Sequence, residues 1–301
     1  MIGRFAPSPS GRMHLGNVFS AMAAWLCVRK EKGTMLLRIE DLDPARCKEE
    51  YALQLKDDLR WLGLNWDEEQ TPQSQRDKVY REVFESLWER NLVYPCYCSR
   101  DALHGASAPH ASDGTVIYAG TCRNLTEQER ALQTKAPAYR LSVPDETWGF
   151  TDLLQGKYEE NLQKECGDFI IRRADGVAAY QLAVVVDDMA GGVSQVVRGR
   201  DLLTSTPRQK YLYSLLGGTA PEYLHVPLLT DESGRRLSKR DGDLDLGELR
   251  KSHSAEEILG TLAYSWGILE HFEKISAEEL VGEFSLQKVK KENIAIRNFL
   301  V

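Results

Sequence analysis

Residues 2–17 read Ile2-Gly3-Arg4-Phe5-Ala6-Pro7-Ser8-Pro9-Ser10-Gly11-Arg12-Met13-His14-Leu15-Gly16-Asn17. A short apolar run over residues 2–6 enters a turn of proline, serine and glycine, and residues 18–28 are apolar nearly all round. That succession predicts a buried strand, a tight turn and a helix packed beneath a sheet. Gly33 is the expected terminator, and residues 35–39 supply the next apolar run, completing a strand–helix–strand unit of a doubly wound parallel sheet. The turn leaves unpaired N–H groups and the positive end of a helix facing outward, as a phosphate group requires. His14 sits at that end, where an imidazole can hydrogen-bond to phosphate oxygens. Gly16, with no side chain, lets a nucleotide ring approach the backbone.

Working outward, Asp43-Pro44 offers an N-cap with proline at the first helical position. Leu53, Leu55, Leu59 and Leu62 would line the helix that follows, up to Gly63. Ser74, with Asp77 three residues on, predicts another helix carrying Val79, Val83, Phe84, Leu87 and Trp88 on one face. Residues 96–136 are rich in Gly, Ala, Ser and Thr and hold three of the six cysteines. Strands are expected at 138–143 and 148–154, and a hairpin from 169–171 through Asp175-Gly176 to 178–186. A strand at 193–197, a helix opened by Thr206-Pro207 with Gln209 and stopped by Gly217-Gly218, and a strand at 224–229 complete the sheet domain. The basic loop Arg235-Arg236-Leu237-Ser238-Lys239-Arg240 follows. Beyond residue 244 the texture is helical with no strand signal. The expected division is residues 1–94 and 168–243 as two halves of a Rossmann-like catalytic domain, 95–167 as an inserted subdomain, and 244–301 as a helical region.

Composition bounds the class. Hydrophobic content of 42% and charged content of 28% describe an ordinary globular chain. No run approaches the roughly 20 apolar residues that cross a bilayer, and no secretory leader precedes the first strand. A cytoplasmic monomer is expected, with cysteines in a reducing compartment. The net charge of −7 is the wrong sign for steering the whole molecule to nucleic acid, so RNA contact would rest on local basic patches.

Cys96-x-Cys98, with Cys122 placed 24 residues after the pair, fits three ligands of a tetrahedral zinc better than a disulfide. Spacing leaves the fourth ligand open among His104, His110 and Tyr118. Cys27, Cys47 and Cys166 read as packing or surface residues.

The proline–serine turn with His14 and Gly16, taken together with the Arg236–Arg240 loop, resembles the two signatures of class I aminoacyl-tRNA synthetases. Residues 4–8, Arg38-Ile39-Glu40-Asp41, Tyr180, Arg198-Gly199 and Thr206-Pro207-Arg208-Gln209 follow in the order found in glutamyl-tRNA synthetases, over about residues 2–250. Asn17 departs from the histidine that usually closes the first signature, and Arg236 from the lysine that usually opens the second. The resemblance implies an α/β class I fold, with an inserted zinc-containing subdomain and a short helical C-terminal region. It implies a glutamate site of Arg4, Phe5, Ala6, Pro7, Ser8, Glu40, Tyr180 and Arg198. There Arg4 and Arg198 can grip carboxylates, Glu40 can hold the ammonium, and the Ser8 and Tyr180 hydroxyls complete the pocket. ATP, with magnesium, would meet His14, Gly16, Asn17, Ser238, Lys239 and Arg240, with His14 and Lys239 catalytic. Lys239 would meet the charge that builds on departing pyrophosphate.

Only 61 residues follow Arg240, too few for the anticodon-reading helices of a discriminating glutamyl-tRNA synthetase, and Val184 stands where those enzymes usually carry asparagine. Both features resemble the glutamyl-queuosine tRNA(Asp) synthetase family, whose Cys-x-Cys and Tyr-x-x-x-Cys pattern points to Tyr118 as the fourth ligand of one structural zinc. The resemblance implies a ligase that activates L-glutamate as the adenylate. It would then join the glutamyl group to queuosine in the anticodon stem-loop of tRNA-Asp. Lys288, Lys290, Lys291 and Arg297 could touch RNA backbone or simply face solvent. The competing readings are glutamylation of a tRNA 3′ end and an inactive RNA-binding module.

Overall fold

The computed structural model describes residues 1–99, 117–235 and 245–296. In chain order the first half comprises β1 (Ile2–Phe5), α1 (Leu15–Lys30), β2 (Thr34–Leu37), α2 (Glu49–Trp61), β3 (Glu68–Glu69), α3 (Asp77–Glu89) and β4 (Val93–Cys96). Then come α4 (Glu127–Ala131), β5 (Ala138–Leu141), β6 (Thr147–Asp152), β7 (Gly156–Asn161), β8 (Phe169–Arg172) and α5 (Tyr180–Ala190). The remainder is β9 (Gln195–Gly199), α6 (Ser205–Leu215), β10 (Glu222–Val226), β11 (Leu229–Thr230), α7 (Leu246–Ser252), α8 (Ala255–Trp266), α9 (Ala277–Glu283) and β12 (Ile294–Ala295).

Five strands form the main sheet in the order β10-β9-β1-β2-β3, and every pairing is parallel. The chain winds from β1 to β2 and β3 on one side, then returns to β9 and β10 on the other. The crevice at the C-terminal ends of β1 and β9 is therefore the switch point, where open α/β sheets bind ligands. Helix α1 is apolar around its circumference because both sides are covered. The sheet lies on one side, and α8 and α9 on the other, with Phe19 meeting Trp266 edge-to-face at 5.1 Å. A second core under α5 and α6 packs against the antiparallel sheet β4-β5-β8, and β6 and β7 form a separate hairpin.

Several local expectations differ from the structure for identifiable reasons. Asp43-Pro44 opens a single turn, with the Cys47 N–H on the Asp43 carbonyl; the helix begins only at Glu49, because the Lys48 N–H is tied to the carbonyl of Pro9 in the first turn. Ser74 caps nothing: its N–H and hydroxyl both donate to Asp41, and α3 starts without a side-chain cap. Thr206 lies inside α6, and its hydroxyl oxygen is spent on Arg198. Leu53 is 60% exposed and Trp88 41%, while Tyr80 takes a place in the core. The left-handed residue ending α1 is Lys32, at φ 52°; Gly33 is required instead by crowding, since a Cβ there would lie 2.5 Å from the Met1 carbonyl oxygen.

The largest difference is at 178–186. The predicted hairpin strand is helix α5, and only Ala178 bridges back to Arg172. An apolar run buried on all sides has no period by which strand and helix can be told apart. Among its described residues the C-terminal region contains one short strand, β12, paired with β11. No helix among the described residues is long and apolar enough to cross a membrane.

Candidate active site

At the switch point lies a cavity of about 450 Å³. The segment leaving β1 supplies one wall with Arg4, Phe5, Ala6, Pro7 and Ser8. His14, Gly16 and Asn17 stand at the head of α1, Glu40 follows β2, Tyr180 opens α5, and Arg198 comes from β9. All of the expected glutamate residues and the expected ATP residues of the first motif therefore share one space. Ser238, Lys239 and Arg240 lie outside the described residues, as does Arg236. Among the described residues, Asp245 bridges to His14, and the Leu246 N–H donates to the Met13 carbonyl at 3.0 Å.

The head of α1 is a capping box built from unusual residues. His14 Nδ1 accepts from the Gly16 N–H at 3.0 Å, and Asn17 Oδ1 accepts from the His14 N–H at 3.2 Å. An imidazole whose Nδ1 is an acceptor carries its proton on Nε2, a donor suited to phosphate oxygen. Asn17, the departure from the usual histidine, is thus the residue that closes the box.

Beneath the cavity runs a buried charge network that the sequence pattern did not reveal. Arg38 is fully buried and donates to Asp188 at 2.7 Å, Glu40 at 3.1 Å and Gln70 at 3.2 Å. Arg4 donates through Nε to Asp188 at 3.3 Å and through Nη1 to the Val197 carbonyl. Asp187, one residue earlier, takes Gln73, Arg76 and Tyr80 at 2.7–3.0 Å. Burial pushes the Asp188 carboxyl up, but Arg38 and Arg4 outweigh it and hold the group below the usual carboxylate range. For Glu40 burial wins over the same two arginines, and its carboxyl is raised. An incoming ammonium would pull the Glu40 carboxyl back down. The one signal available in the sequence was an Asp-Asp pair closing an otherwise apolar run.

Arg198 is held from behind. Nε donates to His225 Nε2 at 3.0 Å, Nη2 to Thr206 Oγ1 at 2.8 Å and to the Leu202 carbonyl at 3.2 Å, and Nη1 to the Tyr180 hydroxyl at 3.5 Å. His225, in the middle of apolar β10, was also not singled out by the sequence reading.

Away from the cavity, Cys96, Cys98 and Cys122 bring their sulfurs within 4.8 Å of one another, an arrangement that could hold a metal ion. The Tyr118 hydroxyl joins them, 3.5 Å from Cys96 Sγ and 3.9 Å from Cys98 Sγ. His104 and His110 lie outside the described residues. Cys27 and Cys166 are buried and Cys47 half-buried, each without a disulfide. Val184 is 2% exposed in the core with Leu182 and Leu141 and does not line the cavity. Lys288, Lys290 and Lys291 are exposed, with the Lys290 amine bonded to the Ser265 carbonyl; Arg297 lies outside the described residues.

Residues 1–298 match the family described as tRNA synthetases class I (E and Q), catalytic domain. The chain is similar to the Glutamyl-Q tRNA(Asp) synthetase of Nitratidesulfovibrio vulgaris, with 48% identity over 296 residues, covering 94% of this chain and 91% of that protein. The protein of the same name from Symbiobacterium thermophilum is 45% identical, over 98% of this chain and 96% of its own length. Among solved structures, the glutamate tRNA ligase of Elizabethkingia meningosepticum in complex with its amino acid superposes with a TM-score of 0.81 at 26% identity, over 98% of this chain and 66% of that one. The glutamate-tRNA synthetase of Elizabethkingia anophelis gives 0.84 at 26% identity, over 99% and 68%. The chain thus spans about two thirds of those solved synthetases and nearly all of the curated relatives.

Proposed function

The chain belongs to the class I synthetases of the glutamyl and glutaminyl type and, within them, to the glutamyl-Q tRNA(Asp) synthetase family; from this we propose that it activates L-glutamate with ATP and passes the glutamyl group to queuosine in the anticodon loop of tRNA-Asp. The observation that carries the reading is the cavity between β1 and β9. There two cavity-lining guanidinium groups, one buried carboxylate and a helix N-terminus capped by imidazole surround a single space.

In the first step an oxygen of glutamate's α-carboxylate attacks the α-phosphorus of ATP, the bond to the bridging oxygen breaks, and pyrophosphate leaves. Arg198 and Arg4 meet carboxylate, Glu40 meets the ammonium, and Ser8 and Tyr180 supply hydroxyls. His14 Nε2–H and the N–H groups heading α1 meet phosphate oxygens, and Lys239 neutralises the charge arriving on pyrophosphate. Magnesium enters with ATP as part of the substrate and spreads that same charge. In the second step a hydroxyl of the queuosine ring attacks the mixed-anhydride carbonyl and AMP departs. A loop base that is splayed out of its stack can enter a pocket in this way.

The cysteine cluster suits zinc. Tetrahedral bonds of about 2.3 Å to sulfur and about 2.0 Å to oxygen set neighbouring sulfurs about 3.8 Å apart, and sulfur and oxygen about 3.5 Å apart. The Cys98–Cys122 separation is 3.6 Å and the Tyr118–Cys96 separation 3.5 Å. Burial and the neighbouring Cys122 push the Cys98 thiol up to about 12, so a cation is what would ionise it. Arg140 Nε lies 3.3 Å from Cys96 Sγ, in the position of an outer donor. We assign Cys96, Cys98, Cys122 and Tyr118 as ligands of one structural zinc in an acceptor-facing subdomain.

The test incubates the enzyme with labelled glutamate, ATP and tRNA-Asp with or without queuosine, then oxidises or trims the 3′ end. Label retained only on queuosine-containing tRNA-Asp is the expected result. Label on unmodified tRNA-Glu that vanishes with its 3′ end would establish conventional glutamylation instead.

A further inference from the structure

We propose that Asp152 and His225 form a positioning relay that holds Arg198 as a fixed, one-sided donor to the substrate carboxylate, and so help to set the amino-acid preference. The inference rests on Arg198 being a glutamate ligand and extends that role to two buried residues outside the cavity wall.

The relay follows from donor and acceptor accounting. Arginine has no acceptor, so the 3.0 Å contact from Arg198 Nε requires a lone pair on His225 Nε2. The proton of the neutral ring must therefore sit on Nδ1, and Nδ1 lies 2.6 Å from Asp152 Oδ2. The Asp152 side chain is fully buried. It also accepts the backbone N–H groups of Leu154 at 2.9 Å, Gln155 at 2.8 Å and His225 at 3.0 Å. Burial pushes its carboxyl up, but the hydrogen bond from the His225 side chain and the N–H groups of Gln155 and Leu154 outweigh it and hold the group below the usual carboxylate range, as an anion. One carboxylate thus closes the β6–β7 turn, ties that hairpin to β10 and fixes the tautomer of His225.

The opposite tautomer would aim an N–H at the Arg198 N–H, and so would a protonated ring. Burial and the Arg198 charge push the imidazole down to about 4, against the pull of Asp152 and Asp201. Around the ring stand Asp152 on β6, Arg198 on β9, Asp201 in the turn after β9, and Tyr223, whose own ring stacks 6.1 Å away. Thr206 Oγ1, 3.3 Å from Nε2, fills the remaining space. Nε and Nη2 of Arg198 are thereby engaged by His225, Thr206 and the Leu202 carbonyl, while Nη1 reaches only the Tyr180 hydroxyl at 3.5 Å, and both Arg198 and Tyr180 line the cavity. A guanidinium fixed in this way offers donors only. That suits a carboxylate and opposes the NH2 of a carboxamide.

Two measurements test this. Long-range ¹H–¹⁵N correlation on ¹⁵N-histidine-labelled enzyme, with His225 assigned by its loss in His225→Gln, should show a neutral Nδ1–H ring that does not titrate between pH 5 and 8. An Nε2–H ring, or a midpoint near 6.5, in the wild-type enzyme would overturn the relay. In glutamate-dependent ATP–pyrophosphate exchange, Asp152→Asn and His225→Leu should raise the glutamate KM by about 10–100-fold, with kcat within about threefold and ATP KM unchanged. Both should narrow the preference for glutamate over glutamine. His225→Gln, which can return an acceptor to Arg198, should recover most of the loss. A wild-type glutamate KM in His225→Leu, or equal losses in the Leu and Gln variants, would contradict the proposal. Wild-type enzyme with no glutamate-dependent exchange would fail the functional reading instead, leaving the tautomer result to stand by itself.

Discussion

The cavity between β1 and β9 and the cysteine cluster beside β4 each gather polar side chains from distant parts of the chain, yet they balance charge differently. Under the cavity, Arg4 and Arg38 face Asp188 and Glu40, while Arg76 faces Asp187. Opposite charges are matched within the protein, and the cavity-lining Arg4 and Glu40 are held in place by the buried Asp188 and Arg38. The cysteine cluster gathers three thiols and a phenol, with the Arg140 guanidinium stacked 3.8 Å over the Tyr118 ring and donating to Cys96 at 3.3 Å. The Cys122 N–H fixes the phenol oxygen at 2.7 Å, while the contacts among the phenol and thiols run from 3.5 to 3.9 Å and include no fixed charge. The first region is organised before its ligand arrives. The second has the donor set that the proposed zinc would complete.

This contrast can be broken from either side. The larger effect is expected under the cavity, where Asp188→Ala would strand two buried guanidinium groups and cost about 3–5 kcal/mol of stability. Urea unfolding measures it, and a variant within about 1 kcal/mol of wild type would mean that water or rearrangement replaces the carboxylate. The smaller effect, on activation, concerns the cluster. Elemental analysis should find one zinc per chain, lost in Cys122→Ser and weakened in Tyr118→Phe but not in His110→Ala. The metal-free enzyme should keep glutamate-dependent exchange within about threefold of wild type and lose about tenfold or more in transfer to RNA. Exchange that falls in step with zinc content would mean that the two regions are one site.

The sequence made one of these regions more legible than the other. A strand, a Pro/Ser turn and a helix follow from local chemistry, and they place Arg4 through Gly16 at the switch point with no knowledge of the rest. Arg198 and Glu40 are placed by the resemblance to glutamyl-tRNA synthetases, and the convergence of strand ends on one crevice agrees with it. The supports of those residues could not be placed. Asp188 acquires its role from Arg38, 150 residues earlier, and His225 from Asp152, 73 residues earlier. Residues 178–186 read as a strand in the sequence alone because a run buried on every side loses the periodicity that distinguishes helix from strand. Ser74 and Thr206 read as caps by spacing, but tertiary partners claimed their side chains.

The central claim is that the cavity activates glutamate by its own residues, before any RNA is bound. ATP–pyrophosphate exchange in the complete absence of tRNA, compared across glutamate, glutamine and aspartate, tests it most directly. Exchange is expected with glutamate, and little or none with the other two amino acids. Absence of exchange with glutamate until tRNA is added would contradict it.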